Sequence, residues 1–303
     1  MGTPEFASHF LSYLHKSAHQ VVAVVTQPDR PAGRGKLLTS PPVKMLAEQL
    51  GIPVIQPQDL KSPEFESALS EYKADIFVVV AFSILPRKIL SASRFGALNI
   101  HGSLLPKYRG AAPVQWAIAR GEAKTGVTVF LLDEKMDHGP ILEQREILIE
   151  NQDTSDSLLQ KMVEPGCDAL MSALQKIESE NTIFIPQNHE QATSAPKLKK
   201  EDGLLDFDAT ALELHNRIRA FSPWPGGYAT LNGKKIYFRK TEVSKEKRSL
   251  TPGQILIEGN HFFVGTGSGV LSLLEMQTEG RKSMPASDFA RGLQQRTGLL
   301  FCS

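Results

Sequence analysis

The chain has 303 residues, of which 41% are hydrophobic and 22% charged, as expected of a globular protein with about two domains. A formal net charge of +1 excludes a uniformly basic nucleic-acid coat and an acidic disordered tail. Two cysteines, Cys167 and Cys302, are too few for a disulfide framework or a multi-cysteine zinc site, and we expect no metal. No apolar run approaches the roughly 20 residues of a membrane span, and residues 1–10 lack a secretory pattern, so a cytoplasmic protein without a membrane partner is expected.

The first part of the chain alternates short apolar runs with helical patterns. In chain order, the pattern predicts helix 5–16, strand 21–26, helix 42–50, strand 53–55, helix 62–72, strands 75–81, 96–100 and 125–132, and one long helix over 154–179. The run 75–81 is continuously apolar, which is typical of a strand buried on both faces of a parallel sheet. Residues 1–186 are therefore predicted to form a doubly wound, mostly parallel α/β sheet.

The chain begins Met1-Gly2-Thr3-Pro4 and enters a helix directly, with no strand before it. In a doubly wound sheet the first strand is usually central, and its loss would leave backbone groups of its neighbours unpaired. We therefore expect the functional protein to carry further residues before Met1.

Residues 187–203 are polar and aperiodic, and they are predicted to be a linker. Residues 204–303 contain a helix followed by short strands, which are separated by hairpin-turn sequences such as Asn232-Gly233. This pattern predicts a second, smaller β-barrel of the OB type used for oligonucleotides. Residues 195–303 carry 16 basic and 11 acidic side chains, against 18 and 22 in residues 1–194, so the C-terminal part suits a polyanion better.

The densest group of polar residues follows the predicted strand 96–100. Asn99 and His101 alternate with apolar Ile100, so both side chains are expected on the same side of the strand end, where open α/β sheets bind ligands. A carboxamide and an imidazole can donate hydrogen bonds to a developing oxyanion, and the imidazole can also move a proton near neutral pH. The alternative is that both side chains are satisfied by loop backbone.

A carboxylate follows the predicted strand 125–132. Asp137 precedes Gly139-Pro140 and could hold the imidazole of His101 or take part in proton transfer. Asp133 is a competing candidate, and spacing does not separate the two. Either carboxylate could instead cap its own turn.

The segment 27–36 is predicted to be a polar loop with three basic residues, two glycines and two prolines. Its side chains Arg30, Arg34 and Lys36 could contact phosphates, or the loop could be an ordinary solvated surface.

These segments together resemble the methionyl-tRNA formyltransferases. The resemblance extends from Gly2 to near the end of the chain. It rests on the order and spacing of six segments, namely QPDRPAGRGK (27–36), NIHGSLLPKYRGAAPVQW (99–116), TGVT (125–128), MDHGPIL (136–142), APKLKKEDG (195–203) and RxFxPWPG (219–226).

The resemblance implies a formyltransferase-like fold and formyl transfer from 10-formyltetrahydrofolate, as co-substrate, to the amino group of initiator methionyl-tRNA. It implies catalytic roles for Asn99, His101 and Asp137, with the first two stabilising an oxyanion and Asp137 holding His101 protonated. It implies that the folate contacts Ser103, Leu104, Leu105 and Pro106. It further implies that tRNA binds to the C-terminal domain and to the 27–36 loop, through Arg30, Arg34 and Lys36. We expect a monomer.

The sequence departs from this family at the absent first strand, in the short segment 81–86 and after Gly292. Three other interpretations remain. The formyl acceptor could be the amine of a nucleotide or sugar, or water, in which case the enzyme would hydrolyse formyl-folate. The protein could also bind RNA without catalysis. A dinucleotide oxidoreductase is disfavoured because no GxGxxG turn follows a predicted strand.

Overall fold

A computed structural model describes residues 1–32, 37–179, 182–246, 248–293 and 298–302. The chain divides into two compact units. The first contains Met1–Pro113, Thr125–Leu148 and Leu159–Ala195, and the second contains Val114–Lys124, Ile149–Leu158 and Pro196–Ser303. Within the described ranges, no helix combines the length and apolarity that a membrane span requires.

The helices and strands are numbered in chain order. The helices are α1 Glu5–His15, α2 Pro42–Gln49, α3 Pro63–Glu71, α4 Arg87–Leu90, α5 Pro113–Ala119, α6 Ser155–Lys161, α7 Val163–Glu178, α8 Ala211–Ala220 and α9 Ala286–Arg291. The strands are β1 Val24–Val25, β2 Arg30–Ala32, β3 Leu37–Thr39, β4 Val54–Ile55, β5 Phe77–Val80, β6 Ala97–His101, β7 Lys124–Leu131, β8 Ile141–Leu148, β9 Gly227–Leu231, β10 Lys234–Val243, β11 Ile255–Glu258, β12 His261–Gly265, β13 Val270–Thr278 and β14 Met284–Pro285.

The first unit is built on a sheet with helices on both faces. Strands β5, β6, β7 and β8 are neighbours in that order, β5 and β6 are parallel, and β6 and β7 are antiparallel. Alternate residues of β5 enter different cores: Val80 packs with residues of α1, α2 and α7, whereas Phe77 and Val79 pack with residues of α3 and α4. The doubly wound, mostly parallel sheet predicted from the apolar runs is confirmed.

The amino terminus lies inside this sheet. Gly2 forms a parallel bridge with Val80 and donates its amide to the Val25 carbonyl oxygen, so the first two residues lie between β1 and β5. The α-amine of Met1 donates to the Val78 carbonyl oxygen at 2.6 Å, and burial lowers the pKa of this amine from 8.0 to about 5. A cavity of about 450 Å³ adjoins Met1 and is lined by residues 21–25, residues 72–78 and the α1 side chains Phe10 and Leu11. This is where the sequence analysis expects a further strand.

The helix predicted over 154–179 is two helices, α6 and α7, which meet at Met162. Pro165 is the cause, because proline has no N–H to donate to the Lys161 carbonyl and its ring clashes with that oxygen. Thr154 accepts a hydrogen bond from the Ser157 amide at 3.2 Å, as a residue that starts a helix does.

The second unit contains a β-sheet against which α8 and α9 pack. Its strands follow the order β11-β12-β13-β10-β9, with β14 beside β13, and α8 and α9 contribute to the same hydrophobic cluster. The outer strands β11 and β9 lie at opposite ends of this order and, within the described residues, are not paired with each other. The C-terminal tail hydrogen-bonds beside both of them, since the Ile255 amide donates to Leu299 and the Thr230 amide donates to Cys302.

Candidate functional site

Two of the predicted catalytic side chains lie on one strand. Asn99 and His101 are two residues apart on β6, so their side chains leave the same face. His101 is buried, with 6% of its surface exposed, and Asn99 is partly buried. Within the described residues no side-chain hydrogen bond occupies the Asn99 carboxamide, which leaves its donor available to a ligand.

One nitrogen of the His101 imidazole is already engaged. Its Nε2 lies 2.8 Å from the carbonyl oxygen of Tyr108. A carbonyl oxygen only accepts, so Nε2 carries a hydrogen and Nδ1 is the nitrogen that can act on a substrate. The sequence did not distinguish the two nitrogens. The loop after β6 does, because its Tyr108 carbonyl binds Nε2.

Asp137 is the carboxylate beside this imidazole. Its Oδ2 lies 3.7 Å from His101 Nδ1 and accepts the Gly110 amide at 2.7 Å. The separation from His101 is an ion-pair distance and is too long for a direct hydrogen bond. Asp137 has a φ of +50°, a left-handed backbone conformation that aspartate tolerates better than most residues. The Gly110 amide, rather than the imidazole, therefore fixes the carboxylate.

The structure separates the two candidate aspartates. Asp133 Oδ2 lies 2.7 Å from His138 Nδ1, and its Oδ1 accepts the Lys135 amide at 2.8 Å. Asp133 thus caps its own turn and pairs with a different histidine, whereas Asp137 faces His101.

The segment predicted to bind folate is held by two polar side chains. The Thr128 hydroxyl donates to the Ser103 carbonyl at 2.6 Å and accepts the Leu105 amide at 3.1 Å. The Gln144 side chain donates to the Leu105 carbonyl at 2.9 Å. Ser103 and Leu105 are buried, whereas the side chains of Leu104 and Pro106 remain partly exposed, and the Leu105–Pro106 peptide bond is cis.

Part of the segment predicted as a polar loop is a short strand, because β2 pairs in antiparallel register with β3, which follows the segment. Arg30 lies at the start of β2, exposed and paired with Thr39, while Arg34 and Lys36 lie outside the described residues. The base of this strand pair is anchored by Asp29, which accepts hydrogen bonds from Lys44 at 2.7 Å and from Gln56 at 2.7 Å. The hydrogen bond from Lys44, supported by that from Gln56, lowers the pKa of the Asp29 carboxyl.

Sequence reasoning missed two residues beside the site, Arg109 and Gln187. The Gln187 side chain donates to the Asp137 carbonyl at 3.0 Å and to the Gly139 carbonyl at 2.7 Å. Its oxygen accepts the Arg109 Nη2 at 2.6 Å. Gln187 lies in the polar segment predicted to be a linker, and nothing in its local sequence indicates burial.

The arrangement places an amide donor, an imidazole with a defined free nitrogen and a fixed carboxylate around the end of β6. Such a set can stabilise a negative charge that develops on a carbonyl oxygen and can accept or pass on a proton.

Two family models match the chain. One described as "Formyl transferase" covers residues 1–174, and one described as "Formyl transferase, C-terminal domain" covers residues 197–294. Curated relatives match nearly the whole chain. A methionyl-tRNA formyltransferase of Desulfotalea psychrophila is 46% identical over 96% of this chain and 91% of its own length. One of Koribacter versatilis is 45% identical over 96% of this chain and 94% of its own length.

Solved structures share the fold. An N-formyltransferase from Helicobacter canadensis, in complex with folinic acid and dTDP-3-aminofucose, matches with a TM-score of 0.66 and 23% identity over 91% of this chain and 97% of its own. WlaRD, a sugar 3N-formyltransferase in the presence of dTDP and 5-N-formyl-THF, matches with a TM-score of 0.67 and 20% identity over 93% of this chain and 97% of its own.

Proposed function

We propose, because this chain belongs to the methionyl-tRNA formyltransferase family, that its site carries out formyl transfer from 10-formyltetrahydrofolate to the α-amino group of methionine on the initiator tRNA. The chain is a formyltransferase enzyme with a folate-derived donor. The observation that carries the proposal for the site is the approach of Asp137 Oδ2 to His101 Nδ1 at the end of β6, two residues beyond Asn99.

The reaction is a nucleophilic substitution at the formyl carbon, in which the amine adds before the folate nitrogen leaves. The methionyl nitrogen bonds to the formyl carbon and a tetrahedral intermediate forms with negative charge on oxygen. The bond from that carbon to folate N10 then breaks, the amine loses a proton and N10 gains one. An ordinary α-amino pKa near 7.7–8.0 leaves part of the amine neutral at pH 7, so no covalent enzyme intermediate is needed.

Asn99 and His101 stabilise the oxyanion. The Asn99 carboxamide donates one hydrogen bond, and the second comes from His101 Nδ1–H when the ring is protonated. The hydrogen bond from His101 Nε2 to the Tyr108 carbonyl fixes the ring so that Nδ1 is the nitrogen turned away from the loop. Donors that are already in position lower the barrier because they do not reorganise during the reaction.

Asp137 supplies a counter-charge and a proton acceptor. Its Oδ2 is held by the Gly110 amide and faces the imidazole, which places a negative charge 3.7 Å from His101 Nδ1. Oδ1 accepts no hydrogen bond within the described residues and is the oxygen that takes the proton leaving the attacking amine.

The two substrates use different parts of the chain. The folate donor lies against residues 103–106, where Leu104 and Pro106 offer partly exposed apolar surface. The tRNA contacts the segment 27–36 through Arg30, Arg34 and Lys36 and also contacts the C-terminal unit. We further propose that the enzyme acts as a monomer in the cytoplasm.

A comparison of acceptors tests this function. The purified protein is incubated with 10-formyltetrahydrofolate and either methionyl initiator tRNA, methionyl elongator tRNA or a nucleotide-linked amino sugar. Transfer confined to the initiator tRNA supports the proposal. Transfer to the amino sugar, release of formate without an acceptor, or tRNA binding without transfer would each overturn it.

A further inference from the structure

Gln187 connects two loops that meet at the candidate site. Its side-chain nitrogen donates to the carbonyl oxygens of Asp137, at 3.0 Å, and Gly139, at 2.7 Å. Its side-chain oxygen accepts from Arg109 Nε at 3.2 Å and from Arg109 Nη2 at 2.6 Å. Gln187 is 6% exposed; its hydrogen bond to Gly139 is buried and the other three are partly buried, so leaving its amide unpaired would be costly.

The loop that contains Arg109 also binds His101 and Asp137. Tyr108 accepts from His101 Nε2, and Gly110 donates to Asp137 Oδ2. Three consecutive residues therefore contact the imidazole, Gln187 and the catalytic carboxylate in turn. The backbone of Arg109 is fixed independently, because its amide donates to the Thr193 carbonyl at 2.8 Å and its carbonyl accepts the Ala195 amide at 2.7 Å.

The loop on the other side carries Asp137 in a left-handed backbone conformation. Such a conformation is uncommon outside glycine and persists when the surroundings fix it. Gln187 binds the carbonyl of Asp137 itself and that of Gly139, two residues later, so it holds the turn on both sides of His138. The turn cannot rotate without breaking these bonds.

We infer that Gln187 is a positioning residue for formyl transfer: it fixes the Asp137 turn relative to the Arg109 loop, and this sets the carboxylate against His101 Nδ1. The inference rests on the proposed function and adds a residue far along the chain to it. Gln187 contacts neither substrate and acts through Asp137.

A double-mutant cycle tests the inference. Gln187→Glu keeps an oxygen that can accept from Arg109 but loses the two N–H groups that donate to the Asp137 and Gly139 carbonyls. Gln187→Met has a side chain of similar volume and removes all four hydrogen bonds. Each is made alone and together with Asp137→Ala, and kcat, both KM values and the melting temperature are measured. Asn188→Ala is the matched control, since Asn188 adjoins Gln187 and its exposed side chain accepts the Glu190 amide at 3.1 Å.

Gln187→Glu is expected to lower kcat roughly 10- to 100-fold with both KM values within about twofold, since small displacements of catalytic groups cost this much. The loss is expected to vanish in the Asp137→Ala background, and Asn188→Ala is expected to keep wild-type kcat. The same fold-loss in both backgrounds, or a wild-type kcat in Gln187→Glu, overturns the inference.

The inference and the proposed function fail differently. A large loss in Asp137→Ala with no loss in Gln187→Glu overturns only the positioning role. A wild-type kcat in Asp137→Ala overturns the proposed mechanism. If Gln187→Met does not fold, Gln187→Glu alone decides, because it retains the contact with Arg109.

Discussion

The Nδ1 atom of His101 and the Oδ2 atom of Asp137 are separated by 3.7 Å, although the two residues lie on different segments of the first unit. The gap is too wide for a hydrogen bond between them and short enough for strong electrostatic interaction in a buried site. Each group is instead held by the loop after β6, through Tyr108 and Gly110 respectively. The pair is thus arranged by backbone groups and remains available to a third group.

Replacing any of Asn99, His101 or Asp137 by alanine is expected to lower kcat by roughly 10²- to 10³-fold, because each change removes a group that is proposed to stabilise the oxyanion or to receive the proton. Single-turnover formylation measures the loss, and filter binding measures tRNA affinity, which is expected to survive. Asp133→Ala is the matched control, because Asp133 is a carboxylate four residues away that pairs with His138 instead. Near-normal kcat in one of the three would remove that residue from the mechanism.

The free energy of unfolding is expected to rise with pH between about 5 and 8 in the chain that begins at Met1. The folded-state pKa of its buried amine is about 5 and the unfolded value is 8.0, so over this range the unfolded chain binds a proton that the folded chain rejects. A shift of three units corresponds to at most about 4 kcal/mol. Urea unfolding at pH 5.5, 6.5, 7.5 and 8.5 measures the slope.

Peptide extensions provide the control for this pH dependence. An extension before Met1 replaces the amine with an amide N–H, so the contribution of this group to the slope disappears. Five β-branched residues are also expected to fill the cavity beside β1 and β5 and raise stability more than five Ser and Gly residues do. A slope that is identical with and without the extension would show that the Met1 amine is not its source.

Arg34→Ala is expected to raise the KM for initiator tRNA and leave the KM for the folate donor unchanged, because the segment 27–36 is proposed to contact phosphates. Steady-state kinetics with each substrate varied in turn measures both constants. Lys61→Ala, which removes an exposed basic side chain elsewhere, is the control. A change confined to the folate constant would contradict the assignment of this segment to tRNA.

Lys235→Ala is expected to weaken tRNA binding and to lower its salt dependence. On the face formed by β9 and β10, Lys235 Nζ lies 3.6 Å from the centre of the Tyr228 ring, and Arg239 lies 4.8 Å from the centre of the Tyr237 ring. Cations interleaved with aromatic rings favour single-stranded nucleic acid. Losing one phosphate contact reduces the slope of log K against log salt by roughly 0.7–0.9. Lys16→Ala, at an exposed lysine elsewhere, is the control. If Lys235→Ala leaves the salt dependence of tRNA binding unchanged, as the control is expected to do, this face does not bind tRNA.

Much of the fold could be predicted from local pattern. The apolar run at 75–81 predicted β5, and the alternation in residues 99–101 placed Asn99 and His101 on one side of β6. The prediction of one long helix was wrong because Pro165 cannot donate a backbone hydrogen bond and separates α6 from α7. Strand β8 was missed because the four residues in its middle, 143–146, are polar and interrupt the apolar run.

The linear sequence was enough to predict the alternation of strands and helices, the position of Asn99 and His101 on one strand face, and the family that the motifs indicate. The first two features depend on residues that are close together in the chain, and periodicity reports them; the family follows from the order and spacing of six motifs along the chain. Only the tertiary structure shows that Asp137, and not Asp133, lies beside His101. It also shows that Nδ1 is the His101 nitrogen not bound to the Tyr108 carbonyl, and that Gln187 contacts the Asp137 turn. Those outcomes depend on hydrogen bonds between segments up to 78 residues apart, and no local pattern encodes which distant loop a polar side chain will meet.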